Sequence, residues 1–130
     1  LFLKSKQLQK GLQELGEEGA IQVFENLASG ALLLGAVGVL QFEVVAQRLQ
    51  TEYKVDAIFE PADIYTARWL TFPDEVTRRN FEREQQHRMA KDVDGNTVYL
   101  ASTRYNLDVT QEKWTKVGFH ASREHGQKML

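Results

Sequence analysis

The chain has 130 residues and a formal net charge of −2, and it contains no cysteine. This length suits one compact domain, and the missing cysteines exclude disulfides and thiolate metal sites and favour a reducing compartment. The slight acidity gives no indication of an overall basic nucleic-acid binder. No apolar run reaches the roughly 20 residues that cross a bilayer, so we expect no membrane partner. Because the first residue is Leu rather than Met, we expect a piece of a longer protein.

The basic residues are unevenly distributed along the chain. Residues 1–60 carry five Lys and Arg against eight Asp and Glu, whereas residues 61–130 carry eleven against ten. Seven of the eight arginines lie in the second half. Arginine forms forked hydrogen bonds to phosphate and stacks on bases, so the second half is where nucleic-acid contacts are expected. A helix surface laced with ion pairs explains the same pattern equally well.

The first half predicts the order helix, strand, strand, helix, strand. Leu8, Leu12 and Leu15 recur at i, i+4 and i+7, which predicts an amphipathic helix that Ser5 caps. After Gly38 the apolar period changes to 3.6 and predicts a second helix. Short β-branched and aromatic runs predict strands at Ala20–Phe24, Ala31–Val37 and Val55–Phe59. With Leu1–Leu3 as the end of an earlier strand, the order becomes β-α-β-β-α-β, the split βαβ or ferredoxin-like unit.

The second half predicts strand, helix, short hairpin, helix and strand. Asp74 is the expected cap of the first helix, and Asp94-Gly95 is a tight-turn signal. The predicted elements are a strand at Ile64–Phe72, a helix at 75–90, a strand at Thr97–Ala101, a helix at Thr103–Trp114 and a strand at Val117–Ala121. The predicted fold class is therefore α+β: a ferredoxin-like lobe at residues 1–60 and a second small α/β lobe at residues 61–130, packed as one domain.

The chain carries no complete motif for catalysis, for a cofactor or for a metal. Gly11 and Gly16 have the spacing of a phosphate loop, but Glu17-Glu18 stand where Lys and Ser or Thr are needed. Gly35 and Gly38 lack the third glycine of a dinucleotide loop, so tight packing is the better explanation. The three histidines share no metal-ligand spacing. Five aromatic residues could stack bases if exposed, although most are expected in the core: Tyr65, Trp69, Tyr99, Tyr105 and Trp114.

Several blocks of the sequence resemble a known family. Lys6–Ala20, Gly35–Val45 and Arg48–Val55 are similar, in this order, to domain III of the translational GTPases related to elongation factor G. Elongation factor G usually has Glu-Leu-His after the second glycine, where this chain has Val39-Leu40-Gln41-Phe42. That difference points to the C-terminal domain of the release factor 3 family, which the chain resembles over residues 3–125. Further blocks carry the same resemblance: Thr66–Trp69, Tyr99–Ala101, Thr103-Arg104 and Ala121–His125.

The resemblance implies a cytoplasmic bacterial GTPase that binds the ribosome and promotes the departure of class-I release factors in translation termination. A GTPase domain and a β-barrel precede this part in the family, so GTP and magnesium are expected in the intact protein and no cofactor is expected in this chain. The family's C-terminal domain relays the nucleotide state and contacts ribosomal RNA and small-subunit protein. We therefore expect a non-catalytic, monomeric ribosome-binding domain.

The ribosome-contact candidates are chosen by charge and expected exposure: Arg68, Arg78, Arg79, Arg83, Arg104, Arg123 and His125. The alternative is an intramolecular protein-interaction domain that couples the GTPase domain to its partners without direct RNA contact. In that case the helix at 75–90 contacts another domain of the same chain.

Overall fold

The computed structural model describes residues 2–36 and 38–122, except for the side chains of residues 2–5. The helices in these ranges are α1 (Phe2–Glu18), α2 (Val39–Tyr53), α3 (Glu75–Glu84) and α4 (Arg104–Lys113). The strands are β1 (Gln22–Asn26), β2 (Leu32–Gly35), β3 (Thr66–Thr71), β4 (Met89–Asp92), β5 (Thr97–Ala101) and β6 (Gly118–His120), and a 3-10 turn at Gln86–Arg88 precedes β4. The predicted α+β class is confirmed. Within the described ranges, none of the helices combines the length and the apolarity that crossing a bilayer requires.

The six strands form one antiparallel sheet in the order β2-β1-β4-β5-β3-β6. The elements from β3 to β6 follow the sequence β-α-β-β-α-β, and their strands lie in the ferredoxin-like order. The first half supplies α1, the β1–β2 hairpin and α2. Strand β1 pairs with β4, with Phe24 opposite Asp92, and so joins the two halves of the chain in one sheet.

The four helices lie on one face of this sheet. Directly paired residues of antiparallel strands share a face, and so do residues two apart along a strand. Glu25 faces Lys91 and Met89 faces Tyr99, so Val23, Met89 and Tyr99 point to the same side. Two apolar clusters cover that side. One joins α1 and α2 to Val23 through Leu12, Leu15, Val45 and Leu49. The other joins α3 and α4 to Met89 and Tyr99 through Phe81 and Leu107.

The opposite face carries a third apolar cluster. Its buried members are Phe24, Trp69, Ala90, Val98 and Leu100, and Ile64 from the segment before β3 packs against them. This cluster draws on both halves of the chain, because Phe24 lies on β1 and Trp69 on β3. The ring centroids of those two residues are 5.7 Å apart, a packing distance in the usual range for aromatic pairs.

Two predicted strands are wrong. Leu1 lies outside the described residues, and Phe2 and Leu3 begin α1, which continues through Ser5 rather than starting after it. The segment Val55–Phe59 is not a strand. Its alternation is real, since Val55 is buried and Ala57 and Phe59 pack against the α1–α2 cluster, while Asp56 and Ile58 are exposed. This segment has the burial pattern of a strand without a neighbouring strand to pair with.

The helix predicted at 75–90 is shorter in the structure. α3 ends at Glu84, and Met89 and Ala90 begin β4. Both residues are buried, but they belong to clusters on opposite faces of the sheet, which adjacent residues achieve in a strand. The other second-half elements are confirmed to within one or two residues, including the Asp94-Gly95 turn, where Gly95 has a φ of 83°.

Candidate functional site

Helix α3, which carries three of the candidate arginines, is capped at its start and anchored in the core. Its N-cap is Asp74, whose carboxylate accepts a hydrogen bond of 2.7 Å from the backbone N–H of Thr77. That bond holds the pKa of Asp74 below its usual value. The helix is anchored by Phe81, which is fully buried. Four rings surround it with centroids 5.3–6.0 Å away: Phe72, Tyr99, Trp114 and Phe119.

Arg78 points inward from this helix, and its guanidinium already has partners within the domain. Its guanidinium lies 4.7 Å from the ring centroid of Phe72 and donates a hydrogen bond of 3.3 Å to Thr97 Oγ1. Glu75 and Glu82 lie 3.7 and 3.6 Å away as ion-pair partners. The charge of Arg78 is therefore compensated within the domain, and the side chain helps to hold α3 on the sheet.

Arg79 and Arg83 face solvent, one helical turn apart on α3. Among the residues that the structure describes, neither is paired with a carboxylate at ion-pair distance. Both therefore remain available to an external partner, on a helix that also carries Glu75, Glu82 and Glu84.

Arg68 and Arg88 form a different kind of group. Arg68 on β3 is half-buried, and its Nη1 donates to Thr66 Oγ1 and to the carbonyl of Ala67, both at 3.0 Å. Arg88 lies in the same predicted helix as Arg78, Arg79 and Arg83 but is not among the sequence candidates, and its charge is the signal that could have identified it. It is also half-buried, and its Nη1 donates a hydrogen bond of 2.5 Å to Ser102 Oγ. Both guanidinium groups are thus oriented by neutral oxygens.

Arg104 is exposed as the first residue of α4. Thr103 caps this helix, with its hydroxyl accepting a hydrogen bond of 3.0 Å from the N–H of Asn106. Tyr105 follows with 74% of its surface exposed, and Tyr65 is 53% exposed. The other three aromatic candidates, Trp69, Tyr99 and Trp114, pack in the apolar clusters as expected. Arg123 and His125 lie outside the described residues.

The segment with phosphate-loop spacing does not form a loop. Gly11 and Gly16 lie inside α1, where neighbouring side chains approach closely. A Cβ at Gly11 would lie 2.7 Å from Leu49 Cδ2, and one at Gly16 would lie 2.6 Å from Val93 Cγ1. These glycines allow close packing of α1, so this part of the chain does not fit a nucleotide.

A cavity of about 190 Å³ lies between α1, β1 and β4. Asp92 is the ionisable side chain among its lining residues, and it accepts hydrogen bonds from the Trp69 indole and the Asn96 amide. Within the described part of the chain, no three His, Asp or Glu side chains converge as metal ligands. The surface groups that remain as candidates for binding a partner are therefore the arginine and tyrosine side chains.

These features define an α+β domain with a ferredoxin-like unit and several exposed guanidinium groups. The sequence profile of the family described as "Class II release factor RF3, C-terminal domain" matches residues 2–111, and the chain therefore belongs to this family. Peptide chain release factor 3 of Aromatoleum aromaticum is 81% identical to it over 127 residues. The alignment covers 98% of this chain and 23% of that relative, so the chain spans less than a quarter of the relative's length. The resemblance to release factor 3 predicted from the sequence is confirmed.

Proposed function

We propose that this domain is the non-catalytic, ribosome-binding and conformational-relay domain of a cytoplasmic translational GTPase that promotes dissociation of class-I release factors in termination. The observation that carries the proposal is the match of residues 2–111 to the C-terminal domain of class II release factors. The intact protein holds GTP and magnesium in a domain outside this chain, and it acts on the ribosome as a monomer. Ribosomal RNA and small-subunit protein are its contacts.

The charge arrangement supports a ribosomal partner. Four of the sequence candidates are exposed or half-buried and lack an ion pair with a carboxylate among the residues described: Arg68, Arg79, Arg83 and Arg104. RNA presents a dense row of phosphates that such groups neutralise. Arg123 and His125 stay candidates by charge alone, whereas Arg78 is committed to α3.

The test is ribosome binding by the full-length protein at increasing salt concentration. Neutralising Arg68, Arg79, Arg83 and Arg104 together to Gln is expected to weaken binding and to flatten its log-log salt dependence by roughly 0.7 to 0.9 for each phosphate that is no longer neutralised. Lys10→Gln, an exposed basic residue on α1, is the control. Binding that is indifferent to salt in the unmodified protein would count against contacts to RNA.

A second candidate function is intramolecular coupling, and one observation favours it. Val39, Leu40 and Val44 lie on α2 and are 75%, 72% and 54% exposed. Large apolar side chains this exposed mark contact surfaces, and the greater part of a release factor 3 chain lies outside these residues. The partner is then another domain of the same chain. Leu40→Ser with Val44→Ser is expected to leave RNA binding intact and to uncouple GTP hydrolysis from the ribosome in the full-length factor. If GTP hydrolysis stays coupled to the ribosome in this variant, the exposed surface of α2 is not the contact between domains.

A further inference from the structure

We infer that one end of the sheet binds unpaired ribosomal RNA through oriented phosphate contacts and base stacking. This strand-end corner consists of Tyr65, Arg68, Arg88, Arg104 and Tyr105. The inference rests on the proposed ribosome-binding function and assigns the main RNA contact to this corner, ahead of the exposed arginines of α3.

Backbone pairing brings the corner together. The N–H of Tyr65 donates a hydrogen bond of 2.8 Å to the carbonyl of Ala101, and Thr66 lies opposite Ala101 in the β3–β5 register. The next residue, Ser102, accepts the hydrogen bond from Arg88. Arg104 and Tyr105 open α4 directly afterwards. Residues that are far apart in the sequence therefore meet where β3 begins and β5 ends.

The partners of the two half-buried arginines give the corner its chemistry. Arg48 and Arg78 elsewhere in the domain pair with carboxylates, which compensate their charge. Arg68 and Arg88 are held by hydroxyl and carbonyl oxygens instead, and neither pairs with a carboxylate among the described residues. Neutral partners fix the direction of each guanidinium but leave its positive charge uncompensated. A phosphate arriving there meets a cation whose side-chain entropy is already reduced, which lowers the cost of binding.

The ring system at the corner selects the kind of RNA. At this strand end, Tyr105 directly follows Arg104 and is 74% exposed, and Tyr65 pairs through its backbone with Ala101 and is 53% exposed. Unpaired bases stack on such rings, whereas bases inside a duplex are not available to them. Asp63, Glu84 and Asp108 lie within five residues of these arginines in the sequence, and none of the three forms an ion pair with them in the described structure. Three guanidinium groups and two exposed rings at one strand end fit a single-stranded or bulged RNA segment.

The experiment measures ribosome affinity of the full-length protein as a function of salt for two matched pairs. Arg68→Gln with Arg88→Gln removes two charges from the corner, and Arg79→Gln with Arg83→Gln removes two from α3. The corner pair is expected to reduce the magnitude of the log-log salt slope by roughly 0.7 to 0.9 for each phosphate left without its arginine, and the α3 pair to reduce it by less. Tyr105→Leu is expected to weaken binding roughly 5- to 150-fold at every salt concentration without changing the slope.

Three results would overturn the inference. The α3 pair could change the slope while the corner pair does not, in which case the domain binds the ribosome but the RNA contact is not at the corner. The corner variants could weaken binding with an unchanged slope, which indicates a protein partner at the corner. The unmodified protein could fail to bind ribosomes, in which case the proposed function itself fails. Should removal of the hydrogen bond to Ser102 unfold the Arg88 variant, Arg104→Gln with Tyr105→Leu tests the corner at fully accessible positions.

Discussion

Trp69 on β3 donates a hydrogen bond of 2.9 Å from Nε1 to Oδ2 of Asp92 on β4, although β5 lies between the two strands. The other oxygen of Asp92 accepts 2.9 Å hydrogen bonds from the N–H groups of Asp94 and Asn96. Asp92 also lies opposite Phe24 of β1. One buried carboxylate therefore connects the β4–β5 turn, the indole of β3 and the junction between the two halves of the chain.

Replacing this carboxylate should destabilise the domain. Asp92→Ala leaves the Trp69 indole and the N–H groups of the turn without their acceptor, which is expected to cost about 2–4 kcal/mol of unfolding free energy. Asp92→Asn keeps one acceptor oxygen and should cost about half as much. Urea unfolding followed by tryptophan fluorescence measures both. An alanine variant that unfolds at the same urea concentration as the original chain would show that the network contributes nothing.

Close packing around Gly16 gives a second prediction. Alanine normally favours a helix over glycine by about 1 kcal/mol. At Gly16 its methyl group would lie 2.6 Å from Val93 Cγ1 and 3.1 Å from Val23 Cγ2, and both are stiff β-branched side chains. We expect Gly16→Ala to lower the unfolding free energy by about 1–2 kcal/mol despite the gain in propensity. Gln9→Ala on the exposed side of α1 is the control, and a stabilised Gly16→Ala variant would refute the steric argument.

The cap of α3 makes stability depend on pH. The N–H of Thr77 lowers the pKa of Asp74 from its ordinary value of 3.8. A group whose folded pKa is depressed stabilises the fold above its unfolded pKa, and this stabilisation is lost as pH falls through the lower folded value. Asp74→Asn keeps the capping oxygen without titrating. The advantage of Asp74 over the Asn variant should therefore be constant near neutral pH and shrink below about pH 4 in denaturant titrations. A stability difference between the two proteins that does not vary with pH would contradict a contribution from the ionised Asp74 cap.

Lys54 ends α2 in a conformation that suits glycine. Its φ of 57° and ψ of 37° lie in the left-handed region, and its N–H bonds to the carbonyl of Gln50. A residue other than glycine in this left-handed conformation destabilises the fold by about 1–2 kcal/mol. Glycine removes this cost, but its larger conformational entropy in the unfolded chain offsets roughly half of the gain. Lys54→Gly is expected to raise the unfolding free energy by about 0.5–1 kcal/mol, measured by thermal or urea unfolding. Gln47→Gly in the helix interior should lower it by about 1 kcal/mol. Equal losses of stability for both glycines would show that the left-handed site carries no strain.

Local signals predict the second half of the fold well. Asp74 caps α3 and Asp94-Gly95 turns β4 into β5, because both depend on hydrogen bonds within a few residues. The pairing of β1 with β4 is not predictable in this way, since it joins segments more than sixty residues apart. The wrong strand at Val55–Phe59 has the same cause. Alternating burial reveals that a segment is extended, but a strand also needs a neighbour that only the tertiary fold supplies.

The candidate site shows the same division. Charge and expected exposure select Arg78, Arg79 and Arg83 alike and leave Arg88 out, although only Arg79 and Arg83 of the three selected residues are fully exposed. Arg78 is held by Phe72 and Thr97, and Arg88 is oriented by Ser102, fourteen residues later in the chain. Whether an arginine stabilises the fold or remains available to a partner depends on these distant contacts.

The position of β1 beside β4 also protects the domain from self-association through an exposed strand edge. Strands β3 to β6 complete a ferredoxin-like sheet whose outer edge is β4, and β1 occupies that edge. A fragment beginning at residue 61 would present the unpaired N–H and C=O groups of β4 to solvent, which is a template for strand addition by another molecule. The β1–β2 hairpin moves the edge to β2, only four residues long. Truncation at residue 61 is therefore expected to produce self-association, which the β1–β2 hairpin prevents in the longer chain.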